Sequence, residues 1–377
     1  MKKAFILLML LPLLTGCWDR LPLRKLNLVD VAGFDFNKEN GEIELHYIVT
    51  KLKSTGQGSG EATSQITKLK GSSLVETIGK GQYTDQAPFL GITTGTYMMS
   101  ESFASNDPVS SLDFLIQTPY SSINIPVVVF EGDMAKFLET VPKANNEFTE
   151  NLYDFNQALE KNNIIPNVSM MQLILSKEDP LTDIAVPVMK QSEMGVELSG
   201  ALLFRQGLNT ETKLNKEQVQ MMMLMNGQGV GKQRYTGNIQ ENGKEPPPTD
   251  KKNKNNYAFS VKKDDSRFKF TSKANKLPNV KLIVQIKINI IDLGKSFHQN
   301  KPDYINHMEK ELSKHLKDMA VTTIKTMQKA NCDILGIGKE LKAHQPEIWK
   351  SLDWRKDYPR MTIEPTFDVQ IINSDVE

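Results

Sequence analysis

The chain has 377 residues, of which 46 are Lys or Arg and 45 are Asp or Glu, so its formal net charge is +1. This balance gives no reason to expect nucleic acid as a partner, because nucleic-acid binding rests on an excess of basic side chains. The length is sufficient for about two or three domains with cores of their own. With only two cysteines, a zinc site built from four of them is excluded.

The N-terminus has the pattern of a lipoprotein signal. Two lysines are followed by an almost unbroken apolar stretch, residues 4–14, and then by Thr15, Gly16 and Cys17. This stretch is too short to span a bilayer, which takes about 20 helical residues. A basic start, an apolar centre and small residues before a cleavage point are typical of an export signal. The sequence therefore predicts a signal peptide at residues 1–16.

Cys17 is the predicted lipid-attachment residue of the mature chain. It would carry a diacylglycerol on its thiol and an N-acyl chain, and more than one acyl chain gives the stable anchoring that one chain does not. An ordinary secretory signal with an incidental cysteine is the alternative. Once Cys17 is modified, Cys332 is the only cysteine left, so no intramolecular disulfide can form. We expect the rest of the chain in water on the outer face of a membrane, because no second apolar segment is long enough to cross it.

Residues 17–190 alternate between strand and helix patterns and are predicted as an N-terminal α/β part. The expected strands lie at 26–36 and 43–52, joined by a turn, and at 66–70, 125–130 and 170–176, with a strand or helix edge at 97–101 and a loop at 54–64. The expected helices lie at 72–80, 112–116, 133–138 and 145–162. The β-branched run at 125–130 predicts a strand buried on both faces, within a sheet covered by helices.

Residues 191–250 are predicted as a middle segment. It holds a strand at 196–204, a helix at 215–226 and a Gly- and Pro-rich loop at 227–249. Four of the five residues at 221–225 are methionines, which form adaptable partner surfaces as well as cores. A partner groove is therefore one interpretation of this helix, and the core of an amphipathic helix is the favoured one.

Residues 251–377 carry the clearest patterns. The strand predicted at 280–291 has six apolar residues on one side, and the helix predicted at 303–330 has apolar residues at three- and four-residue spacing. A hairpin is expected at 257–272 around Asp264-Asp265, and a last strand at 362–372. The predicted fold class is α/β, with mixed α+β sheets packed with helices, in several domains, of which the C-terminal one is a sheet backed by one long helix.

Several segments together resemble one protein family. In chain order they are Cys17-Trp18-Asp19-Arg20, Ser199-Gly200-Ala201-Leu202-Leu203-Phe204, Leu214-Asn215-Lys216-Glu217, Asn331-Cys332-Asp333-Ile334-Leu335-Gly336-Ile337-Gly338 and Pro346-Glu347-Ile348-Trp349. They are similar to the mature N-terminus, the Gly-Ala-x-x-Phe strand, the Leu-Asn-x-Glu helix start, the Asp-x-x-Gly-x-Gly turn and the Pro-x-x-Trp helix of the Ger(x)C family. Its members are the C-subunit lipoproteins of spore germinant receptors. The shared order of these segments makes the resemblance specific.

The resemblance implies a non-enzymatic subunit of a receptor complex that starts germination in response to a nutrient. Its partners would be the integral membrane A and B subunits, and it would be anchored by lipid to the extracytoplasmic face of the spore inner membrane. No cofactor is expected besides the covalent lipid. Contact with other subunits requires exposed polar residues, which we expect beside the anchor or in the Asp-x-x-Gly-x-Gly turn at residues 333–338. The predicted contacts are Trp18, Asp19, Arg20, Asp333, Gly336 and Gly338.

Other chemistry has little support, and no catalytic or metal-binding residue is predicted. Residues 227–232 are rich in glycine but do not form a phosphate-binding loop. Asn226 stands where that motif has its first glycine, and Gln233 stands where it has Ser or Thr. His307 and His315 lie about 12 Å apart along their predicted helix, too far apart for one metal. Cys332 is expected to be a small buried hydrophobic residue. A solute-binding lipoprotein that hands a small nutrient to a transporter is the alternative function, and it would normally show two similar lobes around a cleft.

Overall fold

The structure is a computed structural model that describes residues 26–53, 61–85, 88–118, 121–144, 147–193, 195–238, 256–272, 276–292 and 302–373. Within these residues the chain forms one sheet of nine strands and one of four, called the large and the small sheet below. Helices pack against both. The predicted fold class, mixed sheets packed with helices, is confirmed.

The large sheet is parallel in its centre and antiparallel at its sides. Its strands are β1 (Asn27–Phe36), β2 (Ile43–Lys53), β3 (Glu61–Gly71), β4 (Phe89–Leu90), β5 (Thr96–Ser100), β6 (Val127–Glu131), β7 (Asp183–Ser192), β8 (Gly195–Arg205) and β9 (Leu208–Leu214). The order is β3-β2-β1-β5-β6-β7-β8-β9, and β4 pairs with β1. Strands β1, β5, β6 and β7 run parallel, while β2 and β3 on one side, and β8 and β9 on the other, are joined in antiparallel pairs.

Helices cover both faces of the large sheet. One face carries α1 (Leu74–Gly81), α2 (Glu101–Ala104), α3 (Pro108–Leu112) and α6 (Met170–Leu175), and the other carries α4 (Met134–Ala144) and α5 (Phe148–Lys161). In β6, Val127 and Val129 pack against the first set, and Val128 and Phe130 against the second. None of the four is more than 1% exposed. The prediction of a strand buried on both faces is confirmed, because successive side chains of a strand point to opposite faces.

The small sheet buries one face against a long helix. It consists of β10 (Arg234–Asn238), β11 (Asn256–Thr271), β12 (Asn279–Asp292) and β13 (Ile363–Asn373), in that order, and α8 (Pro302–Lys329) connects the parallel pair β12 and β13. Along β12, alternate residues from Val280 to Ile290 are at most 2% exposed. They share a core with Leu312 and Leu316 of α8. The predicted strand and long helix are both confirmed.

Helix α7 (Lys216–Met225) contacts β8 and β9 of the large sheet and β11 and β12 of the small one. Residues 221–225 are all at most 2% exposed. The C-terminal half of this helix is apolar all round and is therefore buried on every side. The methionines are therefore core residues, as the favoured interpretation predicted, and they are not accessible to a partner.

Three short helices lead from α8 to β13. They are α9 (Ile337–His344), α10 (Pro346–Lys350) and α11 (Trp354–Asp357), and the 3-10 turn Tyr358–Arg360 follows them. Further 3-10 turns lie at Gly91–Thr93 and Asp113–Ile116. None of the described helices combines the length and the apolarity that a membrane span requires.

Two predicted elements are wrong. Residues 170–176, expected as a strand, form α6, because Ser169 and Gln172 make a capping box: Ser169 Oγ accepts the Gln172 N–H (3.3 Å) and Gln172 Oε1 accepts the Ser169 N–H (2.9 Å). The hairpin expected around Asp264-Asp265 is instead the single strand β11, which pairs with β12 along its length. Asp264 Oδ2 accepts the Gly229 N–H (2.7 Å), so this carboxylate has a partner inside a strand rather than in a turn.

Other differences follow from segments without a strong pattern. Strands β7, β9 and β10 were not predicted, and β10 lies within the expected loop at 227–249, whose residues 239–249 lie outside the described ones. Strand β3 begins at Glu61, inside the expected loop at 54–64. Residues 191–250 supply β8 and β9 to the large sheet and β10 to the small one. The domain boundaries themselves stay a prediction.

Candidate functional site: a buried junction and an apolar cavity

The predicted anchor and its neighbours, Cys17, Trp18, Asp19 and Arg20, lie outside the described residues. Their roles stay predictions. The other predicted site residues, in the turn from Asp333 to Gly338, lie between α8 and α9, next to the start of β7 and the end of β8.

Asp333 is buried and closes the start of α9. Its Oδ1 accepts the Ile337 N–H (3.0 Å) and its Oδ2 accepts the Gly338 N–H (2.8 Å). These are N–H groups that a helix start leaves without partners, and a carboxylate at this end also complements the helix dipole. Asp333 is 2% exposed. It therefore orders the backbone of the turn.

A second buried carboxylate, Asp183 at the start of β7, joins this turn to the large sheet. Its Oδ2 accepts the Asp333 N–H (2.6 Å), and Arg355 of α11 binds both of its oxygens, at 2.7 Å and 2.8 Å. Arg355 also donates to the backbone carbonyls of Pro180 and Asn331. A bidentate guanidinium compensates a carboxylate that has no access to water. We call Asp183, Asp333 and Arg355 the junction.

Two neutral groups complete the junction. Cys332 is fully buried, and its Sγ lies 3.4 Å from the Phe204 carbonyl oxygen of β8. Tyr358, also fully buried, donates its hydroxyl to the Cys332 carbonyl (3.1 Å). Burial raises the pKa of the Cys332 thiol, and nearby Asp183 raises it further. The thiol is therefore protonated and weakly nucleophilic, as expected for a small buried hydrophobic residue.

The Asp333 carboxyl titrates near neutrality. Burial raises the pKa of Asp333 to about 6, and the N–H groups of Gly338 and Ile337 counteract only part of this effect. For Arg355, burial alone would lower the pKa, but the Asp183 carboxylate outweighs it and the pKa is raised. The guanidinium therefore stays charged and keeps Asp183 paired.

The expectation that this turn is an exposed partner contact is corrected by its burial. Asp333 and Gly338 are both buried, and a Cβ added to Gly338 would lie 2.6 Å from the Trp354 ring. Gly336 is half-buried and has a left-handed φ of 71°. The motif is a packing and turn signal rather than a contact surface. Asp183 and Arg355 were missed, because they lie 172 positions apart.

An apolar cavity of about 430 Å³ lies on one face of the large sheet. Its floor includes Phe34 of β1, Tyr47 of β2 and Tyr97 of β5, and its cover includes Ile78 of α1 and Phe89 of β4. None of the described residues that line it is charged. No sequence pattern predicts this cavity, since the residues that line it come from segments up to about ninety positions apart.

A group of possible metal ligands lies on the opposite face, among Asp35, Glu44 and His46, whose ligand atoms are within 4.8 Å of one another. Glu44 is already paired with Lys68 (2.6 Å) and Lys70. Burial lowers the pKa of His46, and Lys68 adds to this effect, so the imidazole is neutral at pH 7. Two ammonium groups on the shared carboxylate oppose a cation at this place.

The fold and the junction define a class of protein: a two-sheet α/β protein whose buried charges fix the large sheet to the connection between α8 and β13. Comparison with known proteins gives its family. The N-terminal domain of spore germination proteins matches residues 19–191, and the model "Spore germination B3/GerAC like, C-terminal" matches residues 199–375.

Individual proteins agree with these matches. The chain is 22% identical over 380 residues to the spore germination protein GerQC of Bacillus cereus, covering 100% of this chain and 99% of that protein. Its structure is similar to the crystal structure of the GerBC protein, with a TM-score of 0.56 and 13% identity over 91% of this chain and 97% of that one. The chain belongs to the Ger(x)C family, the C-subunit family of spore germinant receptors. This is a family of receptor subunits and not a known enzyme family.

Proposed function

We propose that this chain is the lipid-anchored C subunit of a germinant receptor in the spore inner membrane. The observation that carries the proposal is the pair of family matches, which begin at residue 19, two positions after Cys17, and extend to residue 375. Both parts of the family's subunit thus follow the predicted lipid-attachment residue. The lipid would hold the folded body at the extracytoplasmic face of the membrane.

In this proposal the subunit acts through contacts with the integral membrane A and B subunits and without catalysis of its own. Since Asp333 and Gly338 are buried, the remaining predicted contacts are Trp18, Asp19 and Arg20 beside the anchor, together with the half-buried Gly336 in the turn. Three residues of extended chain reach about 10 Å. Asp19 and Arg20 can therefore touch only lipid headgroups or the membrane-proximal rim of a partner.

The anchor is tested by Cys17→Ala. The variant has no acceptor thiol, so we expect it to incorporate no labelled fatty acid, to leave the spore membrane fraction and to abolish the germinant response. Cys332→Ala removes the other cysteine and is the matched control, which should remain acylated and membrane-bound. Processed Cys17→Ala protein that stays with the membrane after a high-salt wash would contradict the lipid anchor.

The contact is tested by replacing Asp19 and Arg20 together with alanine. The control replaces Lys38 and Glu39, an exposed pair of opposite charges in the β1–β2 turn. We expect both variants to fractionate with the membrane at normal level, and only the first to lose the germinant response. A normal response in the first variant would remove these residues from the contact surface.

The alternative, a solute-binding lipoprotein, predicts two similar lobes around a hinged cleft. The two sheets of this chain differ in strand number and order. The apolar cavity lies on one sheet, beneath its own helices, rather than between lobes. These features favour the receptor-subunit proposal.

A further inference from the structure

We propose that the apolar cavity on the large sheet is a binding site for an uncharged, mainly apolar small molecule with a hydrogen-bond acceptor. Binding there requires neither the lipid anchor nor the other receptor subunits, so it goes beyond the function proposed above. The size agrees with a ligand site, since about 430 Å³ falls within the roughly 300–1,000 Å³ of small-molecule pockets.

The described part of the lining does not suit a charged ligand. Its polar groups are hydroxyls and one amide, from Tyr47, Gln82, Thr94, Tyr97, Thr118 and Ser121. A buried ammonium or carboxylate without a partner of opposite charge is strongly unfavourable. A free amino acid carries both groups, and the described lining offers a counter-charge to neither.

Two phenol groups supply the donors. Tyr97 is 4% exposed and Tyr47 is half-buried, and neither hydroxyl donates a hydrogen bond to any residue that the structure describes. Buried tyrosine hydroxyls usually have a partner. Tyr358 and Tyr235, in the other core, donate to the carbonyls of Cys332 and Gly229. Among the described residues nothing takes up the hydroxyl donors of Tyr47 and Tyr97, so both can donate to a ligand in the cavity.

These donors stay neutral. Burial raises the pKa of Tyr97 to about 12, and burial together with the nearby Tyr97 raises the pKa of Tyr47. Both phenols keep their protons at any physiological pH. They can therefore donate to a carbonyl, ether or hydroxyl oxygen, whereas they do not serve as a base or as a counter-ion.

Two pairs of contacting aromatic rings form part of the cavity wall and offer an apolar ligand a surface to pack against. Tyr47 lies 5.4 Å from Phe89, and Tyr97 lies 5.7 Å from Phe34, measured between ring centroids. Phe89 is half-buried and Gln82 is exposed, so the cavity opens towards solvent beside the C-terminal end of α1. A ligand can enter there with its acceptor directed to the phenols.

The probe for this site is benzophenone, which has an apolar body, one carbonyl acceptor and no charge, and which forms covalent adducts with nearby C–H groups under ultraviolet light. Full-length protein in its membrane is irradiated over a range of probe concentrations, and the adducts are mapped by mass spectrometry. We expect saturable labelling in the peptides that contain Val29, Phe34, Ile78 and Phe89. Diphenylmethane, which lacks the carbonyl, should compete less well, and leucine, a zwitterion, should not compete.

A pair of neighbouring substitutions separates the cavity from the general surface. Leu115 lines the cavity and is 6% exposed, whereas Ile116 is 45% exposed. Leu115→Trp fills the cavity and should abolish the saturable labelling, while Ile116→Trp should leave it unchanged. Labelling that never saturates, or that is spread equally over the surface of the protein, would overturn the proposal and leave water as the occupant.

The phenols are tested without a change in volume. Replacement of both Tyr47 and Tyr97 by phenylalanine should raise the half-saturating concentration of benzophenone roughly tenfold, as expected for lost hydrogen bonds. Tyr153→Phe, at a 40% exposed residue of α5, is the control and should change nothing. An unchanged half-saturating concentration in the double variant would overturn the assignment of these hydroxyls as ligand donors. The double variant also keeps the test decisive if Leu115→Trp fails to fold.

Discussion

The two sheets bury their strands in different ways. The centre of the large sheet is parallel and covered by helices on both sides, and its strand β6 is a continuous apolar run. Strand β12 of the small sheet alternates buried residues with exposed ones such as Lys281, since only one face is covered. Both patterns follow from the number of faces that must be apolar. The same chain therefore needs two kinds of hydrophobic pattern to specify its two sheets.

The spaces beside the two sheets are also filled differently. Beside the small sheet, the methionines of α7 fill the irregular gap against the large sheet, as flexible thioether side chains do well. On the large sheet, four aromatic rings form part of the wall of the apolar cavity. The region between the sheets is thus filled by flexible side chains, whereas a space remains on the large sheet beside stiffer ones.

Truncation of a core residue in each sheet is the strongest way to test this division. Phe130 of β6 stacks on Phe137 with ring centroids 4.4 Å apart, so Phe130→Ala should lower the free energy of unfolding by about 3–5 kcal/mol. Ile286→Ala in β12 should cost about 2–5 kcal/mol. Lys281→Ala, on the exposed face, should stay within about 0.5 kcal/mol. Denaturant titrations measure all three, and an unchanged midpoint for Ile286→Ala would contradict the packing of β12 against α8.

The junction between the two regions gives the next largest effect. Arg355→Ala leaves the Asp183 carboxylate buried without its partner. We expect a loss of roughly 2–4 kcal/mol, somewhat below the value for fully buried pairs, because the Arg355 side chain is 23% exposed. Arg360→Ala breaks the more exposed pair with Asp357, in which Arg360 is 66% exposed, and should cost at most about 1 kcal/mol. Equal losses in the two variants would show that the junction does not join the regions.

The elements of the two sheets could be predicted from the sequence to different extents, for physical reasons. The strand at 280–291 and the helix at 303–330 were predicted correctly, because a one-faced sheet and a one-faced helix have clear periodicities. Strand β7 was missed, and the Asp264 pair was mistaken for a turn, because an acidic residue inside a strand is satisfied only by a distant partner. Asp333 was identified but placed on the surface for a different reason: its carboxylate is satisfied locally by the start of α9, while its burial comes from Asp183, which accepts its backbone N–H and lies 150 positions away.

The charge of Asp333 makes the junction sensitive to pH. Its folded pKa of about 6 exceeds the ordinary value of 3.8, so the folded state binds more protons than the unfolded state between these values. Stability therefore falls as the pH rises from about 4 to about 6, and the loss at pH 7 is about 3 kcal/mol. Asp333→Asn should remove this dependence of stability on pH. The variant should also lose the contribution of one hydrogen bond at every pH, because asparagine has one acceptor oxygen instead of two. The difference in unfolding free energy between wild type and variant, measured from pH 4 to pH 7, checks this.

Asp264 is the counterpart in the small sheet. Burial raises its pKa to about 6 as well, partly counteracted by the Gly229 N–H. Asp264 is only half-buried, so Asp264→Asn should remove a slope of the same sign but of smaller size. A larger slope for Asp264 than for Asp333 would mean that the junction is better solvated than its burial indicates.

The smallest expected effect compares one glycine from each region. Gly41 in the β1–β2 turn and Gly336 before α9 have left-handed φ values of 72° and 71°, and no atom lies within 4 Å of a Cβ added to either. Alanine at each position should therefore cost only the left-handed backbone, about 1–2 kcal/mol, with asparagine costing less because it adopts this conformation more readily. If the two alanine variants lose equal stability, the junction adds no constraint of its own at Gly336. A distinctly larger loss at Gly336 would show that the hydrogen bonds of Asp333 to the start of α9 hold this turn more rigidly than the exposed hairpin turn is held.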